Sequence, residues 1–382
     1  MAPCPSPPRA SPLRVGQPAS LRSVAAALLL LGARGLALSR IVGTRAVGGA
    51  WRPAEASLRV SRSFASAFAG ESGTASCGSL PFFRAHHGPH ARFWQPREFA
   101  YDGDGAGAAA VQLAWFNSRE RAYGDIFDHV LRLPASAGAL VVDVGANTGW
   151  YSMFAAGRGH AVVAVDMQPE CARRCRCASV MNRVTHLLAL HTAYVSDDDA
   201  APPLGTNSLH CMGGVNPAWR ARFDWGGHVD TVQALRLGRE LRRASAAAPG
   251  GAARVALIKV DIEGGEVAVL RSLVAGGALH LVDHLLLEFS PHMWAQYNVS
   301  AAAGVAAFAP LFAAGFLAVD VPENTAIHPP DWAAAPASGP AGWAPRGRIA
   351  DTAALRRYTD ALLHEVAAGT GAGVYTLWLF RA

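Results

Sequence analysis

A chain of 382 residues, 51% hydrophobic and 16% charged, is too apolar for a disordered protein and long enough for one large domain with extensions. Its formal charge of +6 sits at the amino end, where residues 1–54 hold seven arginines and no acid and leave −1 for the remainder. A near-neutral body excludes nucleic acid as a partner, because proteins that bind it cluster Lys and Arg on the folded domain.

Arg9, Arg14 and Arg22 precede Val24–Ala33, an apolar run of signal-peptide length, and Gly35–Ala37 offers small residues for cleavage. The run is too short to span a bilayer unaided. Continued through Arg34 to Leu38 it makes a marginal signal anchor, a membrane tether. An acid-free leader containing Arg and Ser equally describes an organelle transit peptide; the sequon Asn298-Val-Ser300 favours the secretory route. We expect residues 1–40 to be a targeting leader or anchor. Residues 41–118, rich in Ala, Gly and Ser at their start, are expected to form a partly disordered stem, and residues 119–382 the folded domain.

Arg119–Leu133 has the pattern of an entry helix. Next, Leu140–Val144 is apolar except for Asp143, as in a parallel strand covered on both faces. It runs through Gly145-Ala-Asn-Thr-Gly149 into an apolar helix, Trp150–Ala156. Glycines there allow a sharp turn and close approach to a ligand, with free helix N–H groups facing it. The dinucleotide fingerprint fails at this loop, because its second and third glycine positions are Asn147 and Trp150. Asp143 would repel a pyrophosphate and suits a ligand with an amino group and a sulfonium, such as S-adenosylmethionine. An ordinary turn between strand and helix is the alternative.

The second strand, His160–Asp166, ends in a carboxylate 23 positions after Asp143. That spacing suits an acid accepting hydrogen bonds from both ribose hydroxyls, and also a cap for the next helix, which Pro169 would open. The cysteines that follow, Cys171, Cys175 and Cys177, lack the spacing of zinc-ligand pairs. With Cys4 of the leader omitted, they make with Cys77 and Cys211 an odd five without a paired framework, and we expect small buried thiols.

Val255–Glu266 carries Lys259, the only lysine among 34 basic residues. A compact ammonium fits where a planar guanidinium does not. Period-two geometry would put Lys259, Asp261 and Glu263 on one face, costly to bury unless the charges pair or hold a ligand. A helix pattern follows over Val267–Val274, and a further strand, His280–Phe289, leads to Glu288 and His292. Ligands of open parallel sheets bind at the carboxyl ends of the strands. Asp143, Asp166, Asp261, Glu263, Glu288 and His292 can therefore converge on one rim. No metal-ligand pattern is apparent. Asn207–Phe223 and Pro329–Gly347 are expected to form covering loops, with disorder the alternative for the second. Thr352–Ala367 reads as a late amphipathic helix and Val374–Phe380 as the closing strand.

Asp143-Val-Gly-Ala-Asn-Thr-Gly149, Ala193-Tyr-Val-Ser-Asp197, Ile258-Lys-Val-Asp-Ile-Glu-Gly264 and Leu286-Leu-Glu-Phe289 together resemble the FkbM family of class I S-adenosylmethionine-dependent methyltransferases. The likeness spans about residues 120–382, with two hallmark motifs 114 residues apart from Gly145 to Lys259. It implies an α/β, Rossmann-like, doubly wound and mostly parallel seven-stranded sheet. By the same resemblance Asp143, Gly145, Ala146, Asn147 and Gly149 would line the methionine pocket, and Asp166 beside Met167 would hold the ribose. The adenine would rest near His191, Ala193 and Tyr194. The implied reaction is methyl transfer to a hydroxyl of a small molecule or glycan, with Lys259, Asp261, Glu263, Glu288 and His292 as candidates for orientation and proton removal. Asp197–Pro203 and the Gly-rich Ala247–Ala253 depart from the family pattern on the acceptor side. The alternatives are an inactive binding protein on the same fold and, from a different loop chemistry, a nicotinamide- or nucleotide-sugar-binding enzyme.

Overall fold

The computed structural model describes Cys77, Leu80 and residues 82–87, 91–96, 120–207, 211, 229–247, 254–321, 348–369 and 375–381. The leader, the loop at 329–347 and most of 207–223 lie outside the described residues, as does 248–253 of the Gly-rich stretch. Among the described residues no helix is long and apolar enough to cross a membrane.

A hairpin of β1 (Phe82–His87) and β2 (Ala91–Pro96) comes first. The chain then alternates strand and helix: α1 (Arg121–Arg132), β3 (Leu140–Val144), α2 (Trp150–Gly157), β4 (Val162–Asp166), α3 (Pro169–Met181) and β5 (Leu188–Val195). After β6 (Leu204–Asn207) and β7 (Val229–Leu235) come α4 (Leu237–Ala247), β8 (Val255–Val260), α5 (Glu266–Ala275) and β9 (Val282–Phe289). Two short helices, α6 (Ala301–Ala306) and α7 (Ala309–Ala313), precede β10 (Phe316–Asp320), β11 (Arg348–Ile349), α8 (Thr352–Ala367) and β12 (Tyr375–Arg381).

The central sheet has ten strands in the order β11-β10-β12-β9-β8-β3-β4-β5-β7-β6, three more than the resemblance implies. The seven from β10 to β5 are its continuous middle. The additions are edge strands, two-residue β11 on one side and β7 and β6 on the other, too short or too polar to announce themselves as apolar runs. Strands β3, β4, β5, β7, β8 and β9 are parallel, and β12 enters antiparallel to β9 and β10. Period-two alternation sorts the core into two layers. Val142, Val144, Val163, Val165, Ile258 and Val260 face α4, α5 and α8. Val141, Val162, Ala164 and Leu257 face α1, α2, α3 and the hairpin, where Phe93 meets the Trp150 ring edge-on at 5.1 Å.

The chain winds outward from β3 through β4 to β5, then returns to place β8 on the other side of β3. Helices α2 and α3 cover one face and α4 and α5 the other, so the crossover between β3 and β8 opens a crevice at the carboxyl ends of both strands. Such a reversal point is where ligands of open α/β sheets lodge.

The cysteines correct the sequence reading. Two disulfides join Cys77 to Cys177 and Cys171 to Cys211, and among the described residues only Cys175 is a free, buried thiol. The partners are 100 and 40 residues apart, so local spacing carried no trace of the pairing. All three cysteines of the cluster do lie on α3, after the second strand.

Candidate active site

The loop after β3 is built by internal close approach. Gly145 has φ +76°, and a Cβ there would fall 1.8 Å from the carbonyl oxygen of Asp261. Gly149, the N-cap of α2 at φ +87°, would carry its Cβ to 2.6 Å from Cys175 Sγ. The glycines thus seat the loop against the end of β8 and against α3. Between them Asn147 is left-handed at φ +50° and part-exposed, while Ala146 is buried. The Asn147 N–H donates to Asp166 Oδ2 at 2.7 Å, and Gln95 of β2 donates to Thr148 Oγ1 at 2.6 Å from beneath.

Asp166 closes this corner from β4. Its second oxygen accepts the N–H of Gln168 at 2.8 Å. The N-cap of α3 is Gln168 with Pro169 at the first helical position, so Asp166 makes a local turn and braces the first loop instead of capping the helix. Burial raises its pKa to about 6, against the two N–H bonds that favour the carboxylate. Met167 beside it is half-buried.

Asp143 and Lys259 are register partners on adjacent strands and point to the same face. Asp143 is fully buried, accepts from Ser152 Oγ at 2.7 Å and lies 3.7 Å from the ammonium of Lys259. Lys259 Nζ is 2.9 Å from Asp261 Oδ2, donates to Gly145 O at 3.4 Å and stands 5.2 Å over the Tyr151 ring. Despite burial, the two carboxylates hold its pKa above the ordinary lysine value. This small cage explains a lysine in a chain that otherwise uses arginine.

The expected alternation of charges stops one residue short. β8 ends at Val260, and Glu263 arrives by a left-handed turn at φ +52°, with Gly264 at φ +96° packed so tightly that a Cβ would meet Met293 at 2.6 Å. The turn nevertheless brings Glu263 to Asp261 and to Glu288 of β9: one carboxylate oxygen from each lies within 4.8 Å of the others. The N–H of Glu263 donates to Glu288 Oε2 at 3.3 Å. The three acids do not titrate alike. Lys259 holds Asp261 below the usual carboxylate range. Burial, reinforced by Asp261, pushes Glu288 well up and Glu263 to about 7. Asp261 thus favours its ionised form and Glu288 its protonated form, while part-exposed Glu263 is poised between the two states near neutral pH.

His292 follows β9 in the segment held by buried Glu266, which accepts the Ser290 N–H at 2.9 Å and the Trp294 indole N–H at 3.1 Å. Burial lowers its pKa, so its imidazole is neutral. His191 and Ala193 stand apart from Asp166: in register, Asp166 pairs with Thr192, and its two neighbours point to the opposite face, His191 Nε2 lying 3.7 Å from Glu240 of α4. Sequence reasoning missed Gln95, Glu266, Tyr151 and the disulfide at Asn147. Only the disulfide left a signal, the presence of its cysteines.

Residues 143–307 match the family model described as Methyltransferase FkbM domain. No curated protein matches this chain. Among solved structures it is similar to WbdD at 14% identity and a TM-score of 0.24, covering 44% of this chain and 29% of WbdD, less than a third of that protein's length. It is also similar to the O-methyltransferase TomG from Streptomyces achromogenes in complex with SAM (11% identity, TM-score 0.33, 68% and 80% of the two chains). A third is an O-methyltransferase from Bacillus cereus in complex with SAH (11% identity, TM-score 0.31, 52% and 74%).

Proposed function

We propose that this chain, whose residues 143–307 match the Methyltransferase FkbM domain, transfers a methyl group from S-adenosylmethionine to a hydroxyl oxygen of a small molecule or glycan. The supporting observation is the row of charges along the crevice between β3 and β8, with Asp166 at one end and the Asp261, Glu263 and Glu288 group at the other. Its donor set suits the cofactor. Each Asp166 oxygen has spent one acceptor position on a backbone N–H and keeps another for a ribose hydroxyl. The ionised Asp261 offers negative charge to a sulfonium and an ammonium, and the part-exposed backbone of Gly145 and Asn147 forms the floor between.

When bound, S-adenosylmethionine supplies a methyl carbon already activated by its positive sulfur, so the protein's contribution is alignment and proton removal. Glu263 accepts the proton of the acceptor hydroxyl. Its pKa of about 7 matches the working pH, and a base so tuned contributes roughly 10²- to 10⁴-fold. Asp261, fixed by Lys259, keeps Glu263 from ionising too early and orients the acceptor. Glu288, whose burial favours the protonated form, would in that form donate a hydrogen bond to the same hydroxyl.

Calorimetry with S-adenosylmethionine and S-adenosylhomocysteine, using NAD as control, tests the reading. We expect the adenosyl ligands alone to bind, and Asp166→Ala to weaken them. Affinity should also decline as pH falls below about 6 and Asp166 takes up its proton. A folded protein that binds neither ligand would point to the inactive-binding-protein alternative, and unchanged affinity in Asp166→Ala would remove the ribose role.

A further inference from the structure

The cofactor loop touches something that its reaction does not require. Asn147 Oδ1 lies 2.8 Å from Cys211 Sγ and 3.7 Å from Cys171 Sγ, so the part-exposed asparagine at the centre of the loop rests directly on a disulfide. That bond ties the first turn of α3 to a residue beyond β6, at the far edge of the sheet from β3. Both sulfurs are buried. The same asparagine is left-handed at φ +50°, an uncommon conformation outside glycine, and its N–H is the link to Asp166. The bond therefore backs the one loop residue whose position couples the methionine pocket to the ribose carboxylate. The second disulfide, Cys77–Cys177, leaves the same helix six residues further on and ties it to the segment ahead of the hairpin, which makes it a built-in comparison.

We propose that the Cys171–Cys211 disulfide is a positioning element of the cofactor loop, making methyl-donor affinity dependent on the oxidation state of the chain. The inference rests on the donor reading given above. Formation of the bond removes two electrons and two protons from the Cys171 and Cys211 thiols; a disulfide-bearing oxidant of the compartment takes them up and is itself reduced to a dithiol. Such partners belong to oxidising compartments. In the reduced chain Asn147 loses its support and the loop samples other conformations. A loop competent about a tenth of the time weakens apparent affinity about tenfold.

The test uses the full chain and S-adenosylhomocysteine as the probe. Mass spectrometry of an unreduced digest should find Cys171 linked to Cys211. Calorimetry should give about tenfold weaker binding after phosphine reduction and in Cys171→Ser/Cys211→Ser, while Cys77→Ser/Cys177→Ser loses thermal stability and keeps its affinity. Asn147→Ala separates positioning from general stabilisation. It should weaken the oxidised protein yet add little in the Cys171→Ser/Cys211→Ser background, a non-additivity that a purely structural bond would not produce. Equal affinity in oxidised and reduced protein, or free thiols at both positions, would overturn the inference alone. No binding by the oxidised protein would overturn the donor reading and this inference with it.

Discussion

Glu263 and Lys259 sit four residues apart and answer to different tests. Glu263 must lose its proton to serve as base, and its carboxyl, raised to about 7 by burial and by Asp261, does so as pH rises through neutrality. Transfer by the native protein should therefore climb with an apparent pKa near 7 and level off above it. Glu263→Gln should suppress the rate by roughly 10²- to 10⁴-fold while leaving the affinity for S-adenosylhomocysteine intact. A fully active variant would exclude Glu263 from the chemistry. Lys259 touches no open surface, so its replacement is felt in stability. Lys259→Met leaves Asp143 fully buried without its countercharge, and chemical denaturation should show a loss of about 3–5 kcal/mol. Both residues could be picked out from the chain alone, Lys259 because it is the single lysine. Their division of labour could not. Whether a carboxylate near a lysine is a base or a counter-ion depends on where the strand ends, and β8 ends at Val260, between the two.

The elements around the site differ in how they declare themselves. Strands β3, β4, β8 and β9 are buried on both faces and read as apolar runs, and α8 has the expected bounds, Thr352–Ala367. The β1–β2 hairpin hides in a stretch with the composition of a stem, because it gains its place through Phe93 and Gln95 packing on α2 and the loop, not through a pattern of its own. The segment after β9 is similar. It has no periodicity, yet Glu266 at the start of α5 holds it by accepting two hydrogen bonds, from the Ser290 N–H and the Trp294 indole, and α6 closes over Trp294. A Cβ on Gly304 of α6 would come within 2.1 Å of that indole ring, which is fully buried. Gly304→Ala should lower stability by about 1–3 kcal/mol in a thermal melt. Because Met293 and His292 precede Trp294 and Met293 packs on Gly264, the variant should also slow transfer. A melt unchanged from the native protein would mean that α6 moves aside without cost.

Two cross-links meet on α3, one from ahead of the hairpin and one from beyond β6. Neither was legible, since five cysteines outside the leader and separations of 100 and 40 residues conceal the pairing until the fold brings the partners together. The longer link bears on where the domain begins. Every strand of the sheet and the hairpin lies after Ser79, so a fragment starting there holds the whole described fold and still lacks Cys77. A 100-residue closed loop is worth about 5 kcal/mol in the chain-entropy account. A fragment from Pro53 should show one titratable thiol, Cys175, in denaturant without reductant, and one from Ser79 should show two and melt at lower temperature. Equal melting points would mean that the link is dispensable. On that expectation the folded unit starts at a covalent bond ahead of its first strand, and a shortened protein that omits Cys77 carries an orphan thiol on the helix that braces the loop after β3.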